Sequence, residues 1–200
     1  RELRLDYNRL HGNLPPIGWN TAIVSLSNNA FSGTLDSLQL SAVKNSLQSL
    51  EISHNLLTGT LPVSFINELA VNLLDLSQNQ LVGEVNGFYG MPSTGVLILS
   101  HNNFTSMGSP FPMQYVDLSH NQIFGRIERG AFTNVKTLKL SFNQLANDFS
   151  GPHFPLIEAL DVSHNNMVID LAKIQDLTEI ITLNISYNRV GAGKLWVGSL

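Results

Sequence analysis

The chain has 200 residues, 43% of them hydrophobic and only 13% charged, with a formal net charge of −4 and no cysteine. A core is well supplied, disulfides and thiolate metal sites are excluded, and the lack of a basic stripe argues against nucleic acid as a partner. No window reaches the run of about 18 apolar residues that a membrane helix needs, the most apolar stretch, 63–76, being broken by Ser64, Asn67, Glu68 and Asn72.

From its first residues the chain reads as short strands recurring about every 22 residues, each marked by the pattern L-x-L-x-x-N-x-L. The first is Leu3, Leu5, Asn8, Leu10 and the second Val24, Leu26, Asn29, Phe31. Then follow Leu50, Ile52, Asn55, Leu57; Leu74, Leu76, Asn79, Leu81; and Leu97, Leu99, Asn102, Phe104. The remaining four are Val116, Leu118, Asn121, Ile123; Leu138, Leu140, Asn143, Leu145; Leu160, Val162, Asn165, Met167; and Leu183, Ile185, Asn188, Val190. Alternation of the two leucines is the signature of a strand with one buried face. The Asn stands where the chain turns away, and its amide, with two donors and an acceptor, satisfies backbone groups of its own and neighbouring turns. Stacked, the nine form a polar ladder that is tolerable because every member is satisfied.

The pattern resembles the leucine-rich repeat consensus over the whole chain. Five repeats also carry Gly four residues after the Asn, at Gly12, Gly33, Gly59, Gly83 and Gly125, with Leu14, Leu35, Leu61, Val85 and Ile127 two residues on. Leu-Thr-Gly-Thr-Leu-Pro at 57–62 is similar to the signature of the plant-type extracellular subclass found in receptor-kinase and receptor-like ectodomains, in which this segment forms a second strand. Ile127–Leu138 looks more like the animal extracellular type, and residues 171–177 have helical spacing on the outer side. The implied fold is one right-handed α/β solenoid over 1–200, mostly strand and loop. A parallel sheet lines the concave side, with short 3-10 or helical segments on the convex side. The chain starts inside a strand at Leu3 and stops at Trp196–Leu200 in an unfinished turn without cap cysteines, so it is expected to be an interior segment.

Candidate function lies on the open strand face. The residue between the leucines reads Arg4, Ser25, Glu51, Asp75, Ile98, Asp117, Lys139, Asp161 and Asn184, an acidic track or simply a soluble strand surface. The residue before each Asn reads Tyr7, Asn28, His54, Gln78, His101, His120, Phe142, His164 and Tyr187, holding four of the six histidines. A metal or pH-sensing role is one reading of those imidazoles; a recurrent structural Ser-His-Asn tripeptide is the other. Serine one position earlier recurs in eight repeats, and a nucleophile needs one base and one oxyanion site rather than eight copies, so the column is structural and no catalytic group is expected. The ligand-binding candidates are therefore Glu51, His54, Asp75, His101, Asp117, His120, Lys139, Phe142, Asp161 and His164. Sequons at Asn103 and Asn184 are expected to be exposed glycosylation sites. The expected activity is recognition of a protein or peptide ligand, with a co-receptor as a further partner and no cofactor or nucleic acid. An extracellular or cell-surface setting is expected, without direct membrane contact from this segment. An intracellular scaffold or inhibitor, or a subunit of a large assembly, is the alternative.

Overall fold

The computed structural model describes residues 1–18, 20–38, 40, 46–63, 66, 69–93, 95–108, 110–146 and 154–191. Ser64, Asn67, Glu68 and the Trp196–Leu200 stop lie outside the described residues, as does the Val190 side chain. Nine three-residue strands form one parallel sheet in chain order. They are Glu2–Arg4, Ile23–Ser25, Ser49–Glu51, Leu73–Asp75, Val96–Ile98, Tyr115–Asp117, Thr137–Lys139, Ala159–Asp161 and Thr182–Asn184. Register never slips, so Leu3, Val24, Leu50, Leu74, Leu97, Val116, Leu138, Leu160 and Leu183 stand in a single column. From Val24 to Leu160 that column is buried, as is the second one from Leu26 to Val162. Each such side chain contributes about 1.5–3 kcal/mol, and a one-residue slip would turn a whole set to solvent.

The Asn ladder holds the turns. Asn79 Nδ2 donates to the carbonyls of Ile52, Leu76 and Ser77, and its Oδ1 accepts the Leu57 N–H at 3.0 Å. Asn29, Asn55, Asn102, Asn121, Asn143, Asn165 and Asn188 likewise each accept an N–H from the preceding repeat. Asn8 bonds only Leu5 and Asp6 of its own turn and is exposed.

A second parallel sheet flanks the first, made of His11–Gly12, Ala30–Gly33, Leu56–Gly59, Gln80–Val85 and Asn103–Met107. Its glycines take φ between +83° and +91° at Gly12, Gly33, Gly59 and Gly83, a region where a Cβ is disfavoured. The glycine rule fails in two places. Asn103–Met107 joins from a repeat without that glycine, through a register shift between Phe104 and Ser106, an extra residue doing what Gly does elsewhere. Phe124–Gly125 has the glycine yet pairs with Gln144–Leu145 in a separate ladder; just ahead of it the chain still reaches the bulged strand, Gln122 N–H to Phe104 O at 2.9 Å.

Gly59→Ala is expected to cost about 1–2 kcal/mol for the left-handed backbone. A further increment follows because the new Cβ would lie 3.0 Å from Thr34 Cγ2. Gly125→Ala, with nothing within 4 Å, should show the backbone cost alone. Denaturant midpoints of the two variants check the difference.

On the convex side the chain is irregular, with 3-10 turns at Leu35–Ser37 and Leu171–Asp176. The latter is capped by Asp170, whose carboxylate accepts from Ala172 N–H. Ile66 N–H reaches Pro62 O at 3.0 Å. Phenylalanines fill the layer beneath. Phe111 and Phe132 stack at 4.9 Å, Phe132 and Phe154 at 6.1 Å. Among the described residues no helix is long and apolar enough to cross a membrane.

Candidate functional site

The inner sheet presents two columns of side chains, because residues on both sides of the first leucine point away from the core. The column between the leucines is less open than its composition suggests. Ser25 and Asp117 are buried. Asp75, Asp117 and Asp161 each turn one oxygen back to accept the N–H and hydroxyl of the Ser two residues on, with Oγ–Oδ1 distances of 2.6, 2.6 and 2.7 Å. The acids therefore close the strand ends as well as colouring the surface, and Asp117 in particular is not the exposed acid that sequence expects. The serine column is structural throughout this run; further along the sheet, Ser53 Oγ donates to Ser27 Oγ at 3.0 Å.

Lys139 sits in register between Asp117 and Asp161. Its ammonium leans 5.5 Å from the Tyr115 ring centroid and 3.8 Å from Asp117 Oδ2. Hydrogen bonding to Tyr115 raises its pKa above the ordinary lysine value against partial burial, with help from Tyr115, Asp117 and Asp161 charges. Glu51 and Asp75 are register partners further towards the N-terminus, with Ile98 standing between Asp75 and Asp117; Glu51 Oε1 accepts from Ser49 Oγ at 2.9 Å.

The column read as preceding each Asn has a property that composition does not announce. All nine members, Tyr7 to Tyr187, have φ between 51° and 58°. Left-handed backbone costs a non-Gly residue about 1–2 kcal/mol. It is held here because two successive N–H groups must point to the same neighbour: His120 N–H reaches Ser141 O at 2.8 Å and Asn121 N–H reaches Phe142 O at 3.2 Å. A pleated strand sends them to opposite sides. The side chains of five consecutive members then stack face to face. Centroid distances are 4.1 Å for His101–His120, 4.3 Å for His120–Phe142, 4.0 Å for Phe142–His164 and 4.0 Å for His164–Tyr187. Each such contact contributes about 0.5–1.5 kcal/mol, which offsets part of the backbone cost. His54 stands outside this run, with Gln78 between it and His101.

Parallel rings set their nitrogens side by side instead of aiming them at one point. Among the described residues no three of His, Asp and Glu gather where they could hold a metal ion. Partial burial lowers the His120 pKa below its ordinary value, with His101 and His164 adding to the shift and Asp117 and Asp161 opposing it. The unfolded chain thus takes this proton first. The associated stability is present above about pH 6.5 and is lost as pH falls below it. His120→Phe, which repeats the ring of Phe142, should flatten that acid limb in thermal melts across the range; an unchanged limb would locate the sensitivity elsewhere.

The sequon asparagines differ. Asn184 is exposed on the inner strand face. Asn103, expected at an exposed turn, instead lies half-buried in a strand of the flanking sheet, its oxygen accepting from Gln122 Nε2 at 3.1 Å; the second strand begins immediately after the motif Asn and draws it in. Sequence reading passed over the column before the first leucine, which holds Leu73, Val96, Tyr115, Thr137, Ala159 and Thr182. The same alternation by two would have found it. Around its smallest member, Ala159, lies a hollow of about 270 Å³ lined also by Thr137, Lys139, Asp161, Thr182 and Asn184.

The Leucine Rich Repeat family matches residues 46–67. Receptor-like protein 35 of Arabidopsis thaliana is 35% identical over 202 aligned residues, which cover 82% of this chain and 21% of that protein. Human lumican is 28% identical over 157 residues, 72% of this chain and 44% of lumican. The chain thus spans about a fifth of the plant relative's length and less than half of lumican's. Among solved structures, the Arabidopsis receptor kinase HAESA ectodomain, in complex with an N-terminally extended IDA peptide hormone ligand, superposes with a TM-score of 0.73 at 26% identity. That match covers 96% of this chain and 34% of the ectodomain.

Proposed function

This chain belongs to the leucine-rich repeat proteins, and on that premise we propose that it is the recognition module of an extracellular or cell-surface receptor-like protein. Its nine repeats act as one domain and take an extended peptide or protein segment across the inner strand face. The observation that carries this reading is the unbroken register of nine parallel strands, which presents a continuous track ending in the hollow around Ala159. Similarity to an ectodomain that holds a peptide hormone supports the same reading. Affinity in such a track comes from many modest contacts with a few anchors; Tyr115, Lys139, Phe142 and His164 are the anchors offered here, with Glu51, His54, Asp75, His101, Asp117, His120 and Asp161 alongside. Among the described residues the hydroxyls of Ser77, Ser119 and Ser163 are spent on the strand-end acids, and recognition is the activity proposed.

Panning a displayed library of random linear peptides over the protein tests it. Retained peptides are expected to slow hydrogen exchange at 115–117, 137–139, 159–161 and 182–184. Shielding confined to the convex side, or no retained peptide, would sink the proposal. Peptide-level mass spectrometry of the native protein tests the setting: glycan on Asn103 or Asn184 supports passage through the secretory pathway, and bare sites at full coverage favour the intracellular scaffold.

A further inference from the structure

Resting on that reading, we infer that the hollow around Ala159 is a subsite for a carboxamide side chain, an Asn or Gln of the bound segment. Along the column before the first leucine, Leu73, Val96 and Tyr115 stand on the inner face of successive repeats. The column then drops to Thr137, Ala159 and Thr182, and the loss of side-chain volume at Ala159 opens the hollow.

Two polar groups at its rim are half used. Asp161 commits Oδ1 to Ser163, accepting the N–H at 2.9 Å and the hydroxyl at 2.7 Å. Asn184 commits Oδ1 to Ser186 in the same way, at 3.2 and 2.8 Å. Among the described residues, Asp161 Oδ2 and Asn184 Nδ2 take part in no hydrogen bond. The two residues are direct partners in register, so their backbones are about 4.8 Å apart. One leaves an acceptor and the other a donor side by side on adjoining strands that line the hollow.

A carboxamide carries the complementary pair on one carbon: its NH₂ donates to Asp161 and its oxygen accepts from Asn184. A carboxylate would set like charges together at Asp161. A cation would leave the Asn184 N–H without an acceptor and would lie beside Lys139. The Lys139 ammonium makes its close contacts with Tyr115 and Asp117, and among the described residues it forms no ion pair with Asp161, whose charge it feels only at longer range. Methyl groups of Ala159, Thr137 and Thr182 supply an apolar collar for the stem of the side chain.

Asp161→Asn is the discriminating variant. Asn184 already makes the serine clamp with an amide oxygen, so the exchange keeps the strand end intact and replaces the bare acceptor by a donor. The probes are synthetic peptides enriched from the random linear library on the unmodified protein, each paired with an analogue whose carboxamide is a carboxylate. Enriched peptides should share an Asn or Gln at a fixed place, and the carboxylate analogue should bind roughly tenfold or more weakly, as expected for an unmet buried donor or acceptor. On the Asp161→Asn protein that preference should reverse, since both bare groups are then donors. Ala159→Leu should weaken both members of each pair by filling the hollow. Equal binding of the paired peptides, or indifference to both substitutions, overturns the subsite and leaves the peptide-binding reading standing. Retention of no linear peptide overturns both. A glycan on Asn184 of the native protein would fill the hollow and overturn the subsite alone.

Discussion

Replacing Phe132 by Ala should lower the unfolding free energy by about 3–5 kcal/mol, the range for an aromatic truncated inside a packed core. Phe132 is 1% exposed and stacks against Phe111 on one side and Phe154 on the other. Three repeats share that contact, so no single turn can collapse to refill the space. Phe142→Ala is the contrasting case. Phe142 also has a ring on each side, His120 and His164, but it is 44% exposed and borders solvent; its loss should cost about 1–3 kcal/mol from two ring contacts. Equilibrium denaturation of both variants makes the comparison. A smaller loss for Phe132 than for Phe142 would show that the phenylalanine layer is not the continuous core described.

Asn79→Leu should cost about 3 kcal/mol although the new side chain is apolar and similar in size. Leu57 N–H is buried and has Asn79 Oδ1 as its partner, and an orphaned buried donor costs about 1–3 kcal/mol. The carbonyls of Ile52, Leu76 and Ser77 lose the Nδ2 donor at the same stroke. Asn8→Leu should cost under about 1 kcal/mol, since Asn8 is exposed and bonds only its own turn. Because repeats are stabilised by their neighbours, native-state hydrogen exchange in Asn79→Leu should quicken at residues 52–57 as well as 76–81. Quickening restricted to 76–81 would contradict the ladder as a coupling between turns.

Much of this was legible in the residues because one constraint is repeated nine times. Leucine alternation reported the inner strands, and the place of Asn reported the turn and its bonding. The glycines reported a second strand where a left-handed residue is needed, and failed at Asn103–Met107 because a bulge meets the same need without any fixed residue type. Stacking of His101, His120, Phe142, His164 and Tyr187 was hidden for a related reason: a left-handed backbone forces the column, but Tyr, Asn, His, Gln and Phe all occupy it. The surface was read less well than the core. Asp117 counts as a charge in the sequence and as a strand-end clamp in the fold. The hollow depends on Ala159 being small, which matters only once Thr137 and Thr182 are known to stand beside it.

The flanking sheet runs through five repeats and stops at Met107. Up to that point each turn is fastened along two lines, at the inner face and at the flank; beyond it the described flank strands pair two by two, Phe124–Gly125 with Gln144–Leu145 and Val168–Ile169 with Arg189–Val190, and the Asn166 N–H to Leu145 O bond at 2.7 Å joins one pair to the next. In mechanical terms the turns with both fastenings are expected to form a stiffer arm than the described turns that follow. The hollow around Ala159 belongs to those later turns, where a change of pitch would have fewer fastenings to strain.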